Sequence, residues 1–118
     1  MKKILVAEDN DSNFILMSYI LKKYYEFERA KTGQEAVEKM ESGSFDLVLM
    51  DIKMPVMDGL TATKQIRANG HKQPIIALTA NAFDSDRTLA EEAGCNAFLA
   101  KPVSSDACLK VIKEFLGE

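Results

Sequence analysis

Four unbroken apolar runs of strand length constrain the fold of this chain more than any other feature of its sequence. They occupy residues 4–7, 47–50, 75–78 and 97–100. Runs that do not alternate with polar residues are typical of parallel strands that are buried on both faces. A fifth segment, residues 26–30, alternates polar and apolar residues and carries three charges. This pattern suits the edge of a sheet, because charges there discourage pairing with other chains.

Stretches with a helical spacing of apolar residues separate these runs and follow the last one. They predict helices over residues 13–24, 35–40, 58–68, 84–93 and 104–116. Thr32 and Glu35 are typical of a capping box before the second helix, and Asp58 suits the start of the third. Strand and helix alternate five times, which requires crossover helices on both faces of a parallel sheet. The predicted fold class is a doubly wound α/β domain that spans residues 1–118.

The first and fourth helices are expected to pack differently on this sheet. The residues that share the inward face of the first helix are Leu16, Met17, Ile20, Leu21 and Tyr24. Ile15 and Tyr19 point away from that face, and Ile15, beside Ser18 and Lys22, would be an apolar spot on the solvent side. The fourth helix offers the sheet mainly Leu89, Ala90 and Ala93. Because so little burial means low local stability, we expect this helix to be the element that moves.

Composition excludes several classes of protein. The chain has 15 Lys and Arg against 18 Asp and Glu, a formal net charge of −3, which argues against a free-standing nucleic-acid binder. The apolar run after the first three residues is too short for a secretory signal, and no run approaches the roughly 18 residues of a membrane span. Cys95 and Cys108 lack the paired spacing of a disulfide framework or a zinc site. We therefore expect a cytoplasmic domain.

Polar side chains come at the carboxyl end of four of the predicted strands. Glu8 and Asp9 follow the first, Asp51 follows the third, Thr79 ends the fourth and Lys101 follows the fifth. In open α/β sheets the ligand site lies beyond the carboxyl ends of the strands, where the strand order reverses. The sequence therefore predicts that three carboxylates, a hydroxyl and an ammonium group meet at one edge of the sheet.

This set of groups suits phosphoryl chemistry with a divalent cation. Three close carboxylates repel one another, which favours protonation or a bound cation. Mg²⁺ prefers oxygen ligands and commonly takes one or two carboxylates with water and phosphate oxygens. A carboxylate can also attack phosphorus to form an aspartyl phosphate, and Lys101 and Thr79 are suited to contact its oxygens. The pattern favours a phosphoryl-transfer site that works by positioning and charge neutralisation.

Four motifs at these spacings are together highly specific. They are Glu8-Asp9-Asn10, residues 50–59 with the letters MDIKMPVMDG, Leu78-Thr79-Ala80, and Lys101-Pro102. With them the chain resembles, over essentially its whole length, the receiver domain of two-component response regulators, the CheY-like family. The resemblance implies a flavodoxin-like three-layer sandwich with five helices around five parallel strands in the order 2-1-3-4-5.

The resemblance implies a role for each residue around the acidic site. Asp51 would accept a phosphoryl group from a phosphohistidine on a partner. Asp9, Asp51 and the backbone carbonyl of Lys53 would bind Mg²⁺, and Glu8, which stands where Asp is commoner, would act through water. Lys101 would pair with the carboxylate and then with the phosphoryl oxygens.

The resemblance also implies a switch on the neighbouring strands. Thr79 would move toward the phosphoryl group, and the backbone N–H of Ala80 would reach a phosphoryl oxygen. Phe98, which stands where Tyr is commoner, would turn inward behind Thr79. The Lys101–Pro102 peptide bond would be cis, and positions matching Lys53 and Asn81 would tune the lifetime of the phosphoryl group.

The implied partners are a histidine kinase or histidine phosphotransfer protein as phosphodonor and a downstream protein target, with no nucleic acid and no membrane. Phe14, Ile15 and Ser18 on the first helix are expected to dock the donor. The fourth helix, fifth strand and last helix are expected to form the output face. Such a chain would catalyse only its own phosphorylation and dephosphorylation, so it is not expected to be an enzyme with an external substrate.

Three roles remain open for the chain: a phosphate relay, a direct effector, or the receiver of a hybrid kinase. The sequences of residues 8–10 and 78–82 resemble those of hybrid-kinase receivers. Met1 directly before the first strand, in contrast, is expected of a free-standing protein.

The acidic segment at residues 9–13 partly matches two other motifs. An EF-hand loop is excluded, because Phe14 stands at the position that requires Gly and Ile20 at the position that requires Glu. The alternative is an aspartyl-phosphate-forming phosphatase of the haloacid dehalogenase type, which begins with a similar Asp-x-Asp motif. Asn13 departs from that motif, and its late acidic pair is absent.

Overall fold

Parallel strands and helices alternate through the described part of the chain, residues 1–80 and 84–118 of a computed structural model. The strands are β1 (Lys3–Ala7), β2 (Glu26–Ala30), β3 (Leu47–Asp51), β4 (Ile75–Thr79) and β5 (Ala97–Ala100). The helices are α1 (Asp11–Leu21), α2 (Gly33–Ser42), α3 (Gly59–Ala68), α4 (Asp84–Ala93) and α5 (Ser105–Leu116). The predicted alternation is confirmed, and the predicted bounds of α4, β2 and β5 agree with the structure.

The strands form one parallel sheet in the order β2-β1-β3-β4-β5. This confirms the order that the resemblance implied, and it confirms the charged β2 as an edge strand. β2 lies on one side of β1 and β3 lies on the other side. The strand order therefore reverses between β1 and β3. In the register of the sheet Ala7 lies beside Met50, Asp51 beside Leu78, and Thr79 beside Ala100. The carboxyl ends of these strands therefore meet at one edge.

Both faces of the sheet are covered, which explains why the apolar runs do not alternate. One face packs against α1 and α5, with Ile4, Val6 and Leu49 from the strands in the same cluster as Met17 and Ile112. The other face packs against α2 and α3, and its buried residues include Leu5, Val48, Met50, Met40 and Ile66. Burying a side chain of this size stabilises the fold by roughly 1.5–3 kcal/mol. The two clusters therefore hold the central strands rigidly between helical layers.

Side chains that accept hydrogen bonds from backbone N–H groups begin four of the helices. Asn10, Thr32, Asp58 and Ser104 each accept such a bond from the residue three positions later. A cap of this kind contributes about 1 kcal/mol. The predicted caps at Thr32 and Asp58 are confirmed.

The predicted bounds and inward face of α1 were partly wrong. The helix runs over Asp11–Leu21 rather than residues 13–24, because Asn10 caps it earlier. Met17, Ile20 and Leu21 are buried as expected, but Leu16 and Tyr24 are 41% and 49% exposed. Tyr24 lies in the turn after the helix, where helical periodicity no longer sets its direction. Leu16 lies at the margin of the buried face, so the stripe that packs on the sheet is narrower than predicted.

The fourth helix has the shallow packing that the sequence indicated, with one correction. Ala90 and Ala93 are buried, whereas Leu89 is 48% exposed and not part of the inward face. Among the described side chains of α4, Ala90 is the one in the small cluster that contains Ile52 and Ala77 beneath this helix. Two alanines bury little apolar area, so α4 gains little stability from its contact with the sheet.

Close backbone contacts fix the segment between β3 and α3. The N–H of Gly59 donates to the carbonyl of Ile52 at 2.8 Å, and a Cβ atom at Gly59 would lie 2.0 Å from the carbonyl oxygen of Asp51. The N–H of Gly33 donates to the carbonyl of Met57 at 3.0 Å, and a Cβ atom there would lie 2.3 Å from the same oxygen. Only glycine allows these approaches, which anchor both ends of the loop behind Asp51.

The same loop contains a turn with a positive φ angle. Val56 has a φ of 68°, and the N–H of Met57 donates across it to the carbonyl of Pro55 at 2.7 Å. A β-branched residue in this conformation costs on the order of 1–3 kcal/mol. Val56 is exposed, so burial at that residue does not offset the cost, whereas Met54 is buried in the core on the α2 and α3 side. The anchors on either side of the turn therefore hold it in place.

Arg67, near the end of α3, connects three segments at the opposite edge of the sheet. Its guanidinium donates to the carbonyls of Gly94, His71 and Gln73 at 3.0, 2.9 and 2.8 Å, and to Oδ1 of Asn96 at 2.8 Å. Oδ1 of Asn96 also accepts from the backbone N–H at the start of β4 at 2.9 Å. One side chain thus fixes the starts of β4 and β5 relative to α3.

Arg67→Ala is expected to lower the free energy of unfolding by about 2–4 kcal/mol, because it leaves several partly buried acceptors without donors. Urea denaturation measures this loss. Lys64→Ala, an exposed substitution on the same helix, is the matched control and should change stability by no more than about 0.5 kcal/mol. Equal effects of the two substitutions would contradict the role given to Arg67.

Candidate functional site

Three carboxylates meet where the strand order reverses. One ligand oxygen from each of Glu8, Asp9 and Asp51 lies within 4.8 Å of the other two. Glu8 is fully buried and Asp51 is 4% exposed, whereas Asp9 is open to solvent. Glu8 and Asp9 directly follow β1, and Asp51 is the last residue of β3. The convergence that the sequence predicted is therefore present.

Lys101 pairs with both buried carboxylates. Its Nζ lies 2.9 Å from Oδ2 of Asp51 and 3.0 Å from Oε2 of Glu8. The contact with Asp51 is a well-aligned hydrogen bond, whereas buried Oε2 of Glu8 has an ion pair but no aligned hydrogen bond. The backbone N–H of Lys101 donates to the carbonyl of Thr79 at 2.7 Å, which fixes the start of the Lys101 side chain beside β4.

Backbone groups hold the other oxygens of these two carboxylates. The N–H of Asn10 donates to Oε1 of Glu8 at 3.2 Å, and the N–H of Lys53 donates to Oδ1 of Asp51 at 3.2 Å. Both carboxylates are thereby oriented by the turn that follows their own strand.

Burial and charge act in opposite directions on Asp51. Burial raises the pKa of its carboxyl group, Lys101 lowers it, and the nearby charge of Glu8 raises it, with a net value of about 6. Burial acts to lower the pKa of Lys101, but its hydrogen bond to Asp51, its ion pair with Glu8 and the charges of both carboxylates together raise it. One ammonium group does not fully neutralise two buried carboxylates, so the site favours an additional positive charge.

A cavity of about 220 Å³ opens beside these groups. All seven residues that were predicted to take part in metal or phosphoryl chemistry line it: Glu8, Asp9, Asp51, Lys53, Thr79, Ala80 and Lys101. Asn10, Asn13, Ile52 and Leu78 also line it. Phe98 and Pro102 do not line this cavity. The peptide bond before Pro102 is cis, as expected.

The two expected switch residues both contact α4. Thr79 is 4% exposed, and its Oγ1 donates to Oδ2 of Asp86 at 3.2 Å. Phe98 is half-buried, and the guanidinium carbon of Arg87 lies 4.8 Å from the centroid of its ring. Asn81, which was expected to influence phosphoryl lifetime, lies outside the described residues.

The expected docking residues lie on the exposed side of α1. Ile15 is 53% exposed, and Ser18 is half-buried with its Oγ donating to the carbonyl of Ile15 at 2.7 Å. Phe14 is half-buried between the ring of Phe27, at a centroid distance of 6.0 Å, and the guanidinium of Arg29, at 4.6 Å. Ile15 therefore offers the free apolar surface, while Phe14 is partly covered.

Sequence reasoning missed the contribution of several neighbours. Asn10 caps α1 while lining the cavity with Asn13, and a capping residue directly before a helix is a signal that was available. Nε of Arg29 donates to the carbonyl of Glu8 at 3.0 Å, and its guanidinium pairs with Asp11 at 2.9 Å. No local pattern indicates this contact, because it joins β2 to the segment after β1.

The donor set fits a hard divalent cation. It consists of carboxylate oxygens at one edge of the sheet, and buried Oε2 of Glu8 lacks an aligned hydrogen bond in the described structure. Mg²⁺ commonly binds one or two carboxylates and retains several waters, which a cavity open to solvent at Asp9 allows. The residues present therefore suit Mg²⁺ better than a metal that prefers nitrogen or sulfur ligands.

Comparison with known proteins identifies the family. The response regulator receiver domain family matches residues 4–113, so the chain belongs to that family. Hybrid signal transduction histidine kinase M of Dictyostelium discoideum is 42% identical over 121 residues, which cover 96% of this chain and 5% of that protein. The chain thus spans a small fraction of this curated relative. The family match supersedes the haloacid dehalogenase alternative.

Two solved structures extend the comparison to the site. The receiver domain of sensor histidine kinase PA1611 of Pseudomonas aeruginosa has a magnesium ion coordinated in its active site cleft. It is 38% identical, with a TM-score of 0.92 and coverage of 99% of this chain and 98% of that one. The Saccharomyces cerevisiae receiver domain of Ssk1, solved with the histidine phosphotransfer protein Ypd1, is 36% identical. Its TM-score is 0.91, with coverage of 97% and 88% of the two chains.

These findings define the chain as a receiver domain, a phosphoacceptor module of two-component signal transduction. Receiver domains are signalling phosphoacceptors rather than classical enzymes, and they bind Mg²⁺ in an acidic pocket of the kind described above. Among the described residues, no helix has the length and apolar character needed to cross a membrane.

The raised pKa of Asp51 predicts a specific pH dependence in metal-free protein. Because this pKa lies above the value of 3.8 expected of an unperturbed Asp, the folded chain binds the proton more tightly. The resulting stabilisation is fully present below about pH 4 and is lost as the pH rises through about 6. Relative to Asp51→Asn, the free energy of unfolding of the wild type should therefore fall between about pH 4 and pH 7. Urea denaturation with a chelator measures it, and a constant difference would contradict the raised pKa.

Proposed function

We propose that Asp51 is the phosphoacceptor of this receiver domain and that Mg²⁺ is its cofactor. The observation that carries the proposal is the position of the Asp51 carboxylate. It ends the central strand β3, faces the 220 Å³ cavity and pairs with Lys101 while two further carboxylates lie within ligand distance. A buried carboxylate that is already paired with a lysine is suited to attack phosphorus, because the charged side chains need to move little during the transfer.

In the proposed transfer the phosphoryl group passes from a histidine of the partner to Asp51. An oxygen of Asp51 forms the new bond to phosphorus while the phosphorus–nitrogen bond to the donor imidazole breaks, and the leaving nitrogen keeps the electron pair. Lys101 is already 2.9 Å from Asp51, so its ammonium can move from the carboxylate to a phosphoryl oxygen as charge develops. The chain supports only this reaction and the later hydrolysis of its own aspartyl phosphate, and no external substrate is proposed.

Bound Mg²⁺ would neutralise the phosphoryl oxygens and help to align them for displacement. Asp9, Asp51 and the backbone carbonyl of Lys53 are the proposed ligands, and Glu8 is proposed to act through a bound water. The burial of the Glu8 side chain and its pairing with Lys101 support this indirect role. Asp9, which is exposed, supports entry of the cation from solvent.

Phosphorylation is proposed to act on α4, β5 and α5 through Thr79 and Phe98. Thr79 would turn its hydroxyl toward a phosphoryl oxygen, and the backbone N–H of Ala80 would bind another. Phe98 would then turn inward behind Thr79. The shallow packing of α4, which buries mainly Ala90 and Ala93, supports a movement of this helix rather than of α1 or α5.

The proposed phosphodonor is a histidine kinase or a histidine phosphotransfer protein, and the proposed output partner is a protein target in the cytoplasm. Phe14, Ile15 and Ser18 would dock the donor beside the acidic cavity. The exposed side chain of Ile15 supports this assignment, because an apolar residue at the centre of a docking patch often dominates binding. No role for nucleic acid or a membrane is proposed, and residues 1–118 are taken as one receiver domain.

Asp51→Asn is expected to abolish labelling by acetyl phosphate and Mg²⁺, because the amide cannot act as the nucleophile. Mass spectrometry measures the gain of one phosphoryl group and its loss in alkali. Asp46→Asn is the matched control, since Asp46 precedes the same strand and accepts a hydrogen bond from the N–H of Lys3 at 2.8 Å, which an amide oxygen can replace. Asp46→Asn should be labelled like the wild type.

Two outcomes of this labelling experiment would refute the proposal. Equal labelling of the Asp51→Asn chain would move the acceptor to another residue. Labelling of the wild type that is unaffected by a chelator would remove Mg²⁺ from the reaction.

Ile15→Ala is expected to slow phosphoryl transfer from a phosphorylated histidine phosphotransfer protein by roughly five- to tenfold, the effect of losing about 1–1.4 kcal/mol of docking energy. Leu89→Ala is the matched control, because Leu89 is similarly exposed but lies on α4. Labelling by acetyl phosphate should be unchanged in both variants. A transfer rate equal to that of the wild type would contradict docking through Ile15.

A further inference from the structure

The beginning of α4 contacts both residues of the proposed switch. Oδ2 of Asp86 accepts a hydrogen bond from Oγ1 of Thr79 at 3.2 Å. The next residue, Arg87, places its guanidinium carbon 4.8 Å from the centroid of the Phe98 ring. Two consecutive residues of one helix therefore hold a hydroxyl on β4 and an aromatic ring on β5 at the same time.

Asp86 and a phosphoryl group on Asp51 would compete for the same hydrogen. A threonine hydroxyl has a single O–H to donate. Thr79 lines the cavity that contains the Asp51 carboxylate, so a turn of its hydroxyl toward a phosphoryl oxygen withdraws the hydrogen from Asp86. The Asp86 carboxylate has the same sign of charge as the phosphoryl group, and repulsion prevents it from following the hydroxyl into the cavity.

Arg87 stabilises the present position of the Phe98 ring. A guanidinium over the face of an aromatic ring is attracted by the quadrupole of that ring. Phe98 also packs, with Leu60 and Cys95, against the cluster of Ile52, Ala77 and Ala90. A cavity of about 210 Å³, lined in part by Arg87 and Phe98, lies between α4 and β5. The ring therefore has room to move, and the cation favours the position in which it is found.

We propose that Asp86 and Arg87 form a clasp on α4 that stabilises the unphosphorylated conformation and thereby opposes phosphoryl binding at Asp51. This inference rests on the proposed roles of Thr79 and Phe98 in the switch. Asp86 retains the hydroxyl and Arg87 retains the ring, so both are positioning residues that act through another side chain. The clasp is present in the unphosphorylated conformation and absent from the phosphorylated one. Only a contact that differs between two conformations can shift the equilibrium between them.

Linkage gives the clasp a measurable consequence. A contact that is present only in the unphosphorylated conformation shifts the conformational equilibrium toward that state. It therefore lowers the affinity for any ligand that requires the phosphorylated conformation, by the same factor as it shifts the equilibrium. Removing the contact should therefore raise the affinity for a phosphoryl mimic. Damage to the fold would lower that affinity, so the direction of the change separates the two explanations.

Binding of beryllofluoride, a phosphoryl mimic, in the presence of Mg²⁺ tests the clasp when measured by isothermal titration calorimetry on the whole chain. Asp86→Ala is expected to raise the affinity roughly three- to tenfold, the effect of one hydrogen bond. Arg87→Ala is expected to raise it roughly two- to fivefold, and Arg87→Lys should return it toward the wild-type value because an ammonium also binds an aromatic face. Glu92→Ala removes an exposed carboxylate from the same helix and is the matched control, with wild-type affinity expected.

The outcomes separate this inference from the proposed function. If Asp86→Ala binds beryllofluoride no more tightly than the wild type, the clasp is overturned. An equal rise in the affinity of Glu92→Ala also overturns it, because the effect would then come from the net charge of α4. An unchanged affinity of Arg87→Ala removes Arg87 from it. A wild-type chain that binds no beryllofluoride overturns the proposed function itself. Amide exchange without the mimic is a second readout: residues 86–93 should exchange faster in Asp86→Ala than in Glu92→Ala.

Discussion

Lys101 pairs with two buried carboxylates, Glu8 and Asp51, and these ion pairs set the balance of charge in the site. Removing ions from water costs several kcal/mol for each charge, and attraction offsets this cost only when the geometry is good. Here one ammonium group serves two buried carboxylates at 2.9 and 3.0 Å, with exposed Asp9 close by. Burial and the charge of Glu8 raise the pKa of Asp51 more than Lys101 lowers it. The site therefore already favours a bound cation.

Such an arrangement needs a rigid support, which the two packed faces of the sheet provide. Glu8, Asp51 and Lys101 come from three different strands or strand ends, and their separations depend on the register between those strands. The glycine contact behind Asp51 and the hydrogen bonds of Arg67 act at opposite edges of the same sheet. Together they fix where β3, β4 and β5 begin or end. Charges whose energies change steeply with distance are thereby held in one geometry.

Much of the fold and of the acidic site could be predicted from the sequence, because both depend on features with a local pattern. A strand buried on two faces produces an unbroken apolar run, and the residue after such a run lies at a known edge of the sheet. Leu16 and Leu89 were assigned to the wrong side, because their helices pack on the sheet through narrower faces than an apolar count indicates. The contacts of Arg29 with Glu8 and of Arg87 with Phe98 join separate elements, so no spacing along the chain predicts them.

The contrast between α4 and the other helices explains how a small chemical change at Asp51 can have a conformational effect. The other four helices are anchored by large buried side chains such as Met17, Met40, Ile66 and Ile112, whose removal costs several kcal/mol. The described residues that α4 buries are alanines, and Asp86 and Arg87 near its beginning contact Thr79 and Phe98 through polar or charged groups. Contacts of this kind are worth about 1 kcal/mol each. A difference of about 1.4 kcal/mol changes a two-state population tenfold. A helix with weak apolar packing and polar contacts to the switch is therefore the element that a phosphoryl group can displace without unfolding the rest of the domain.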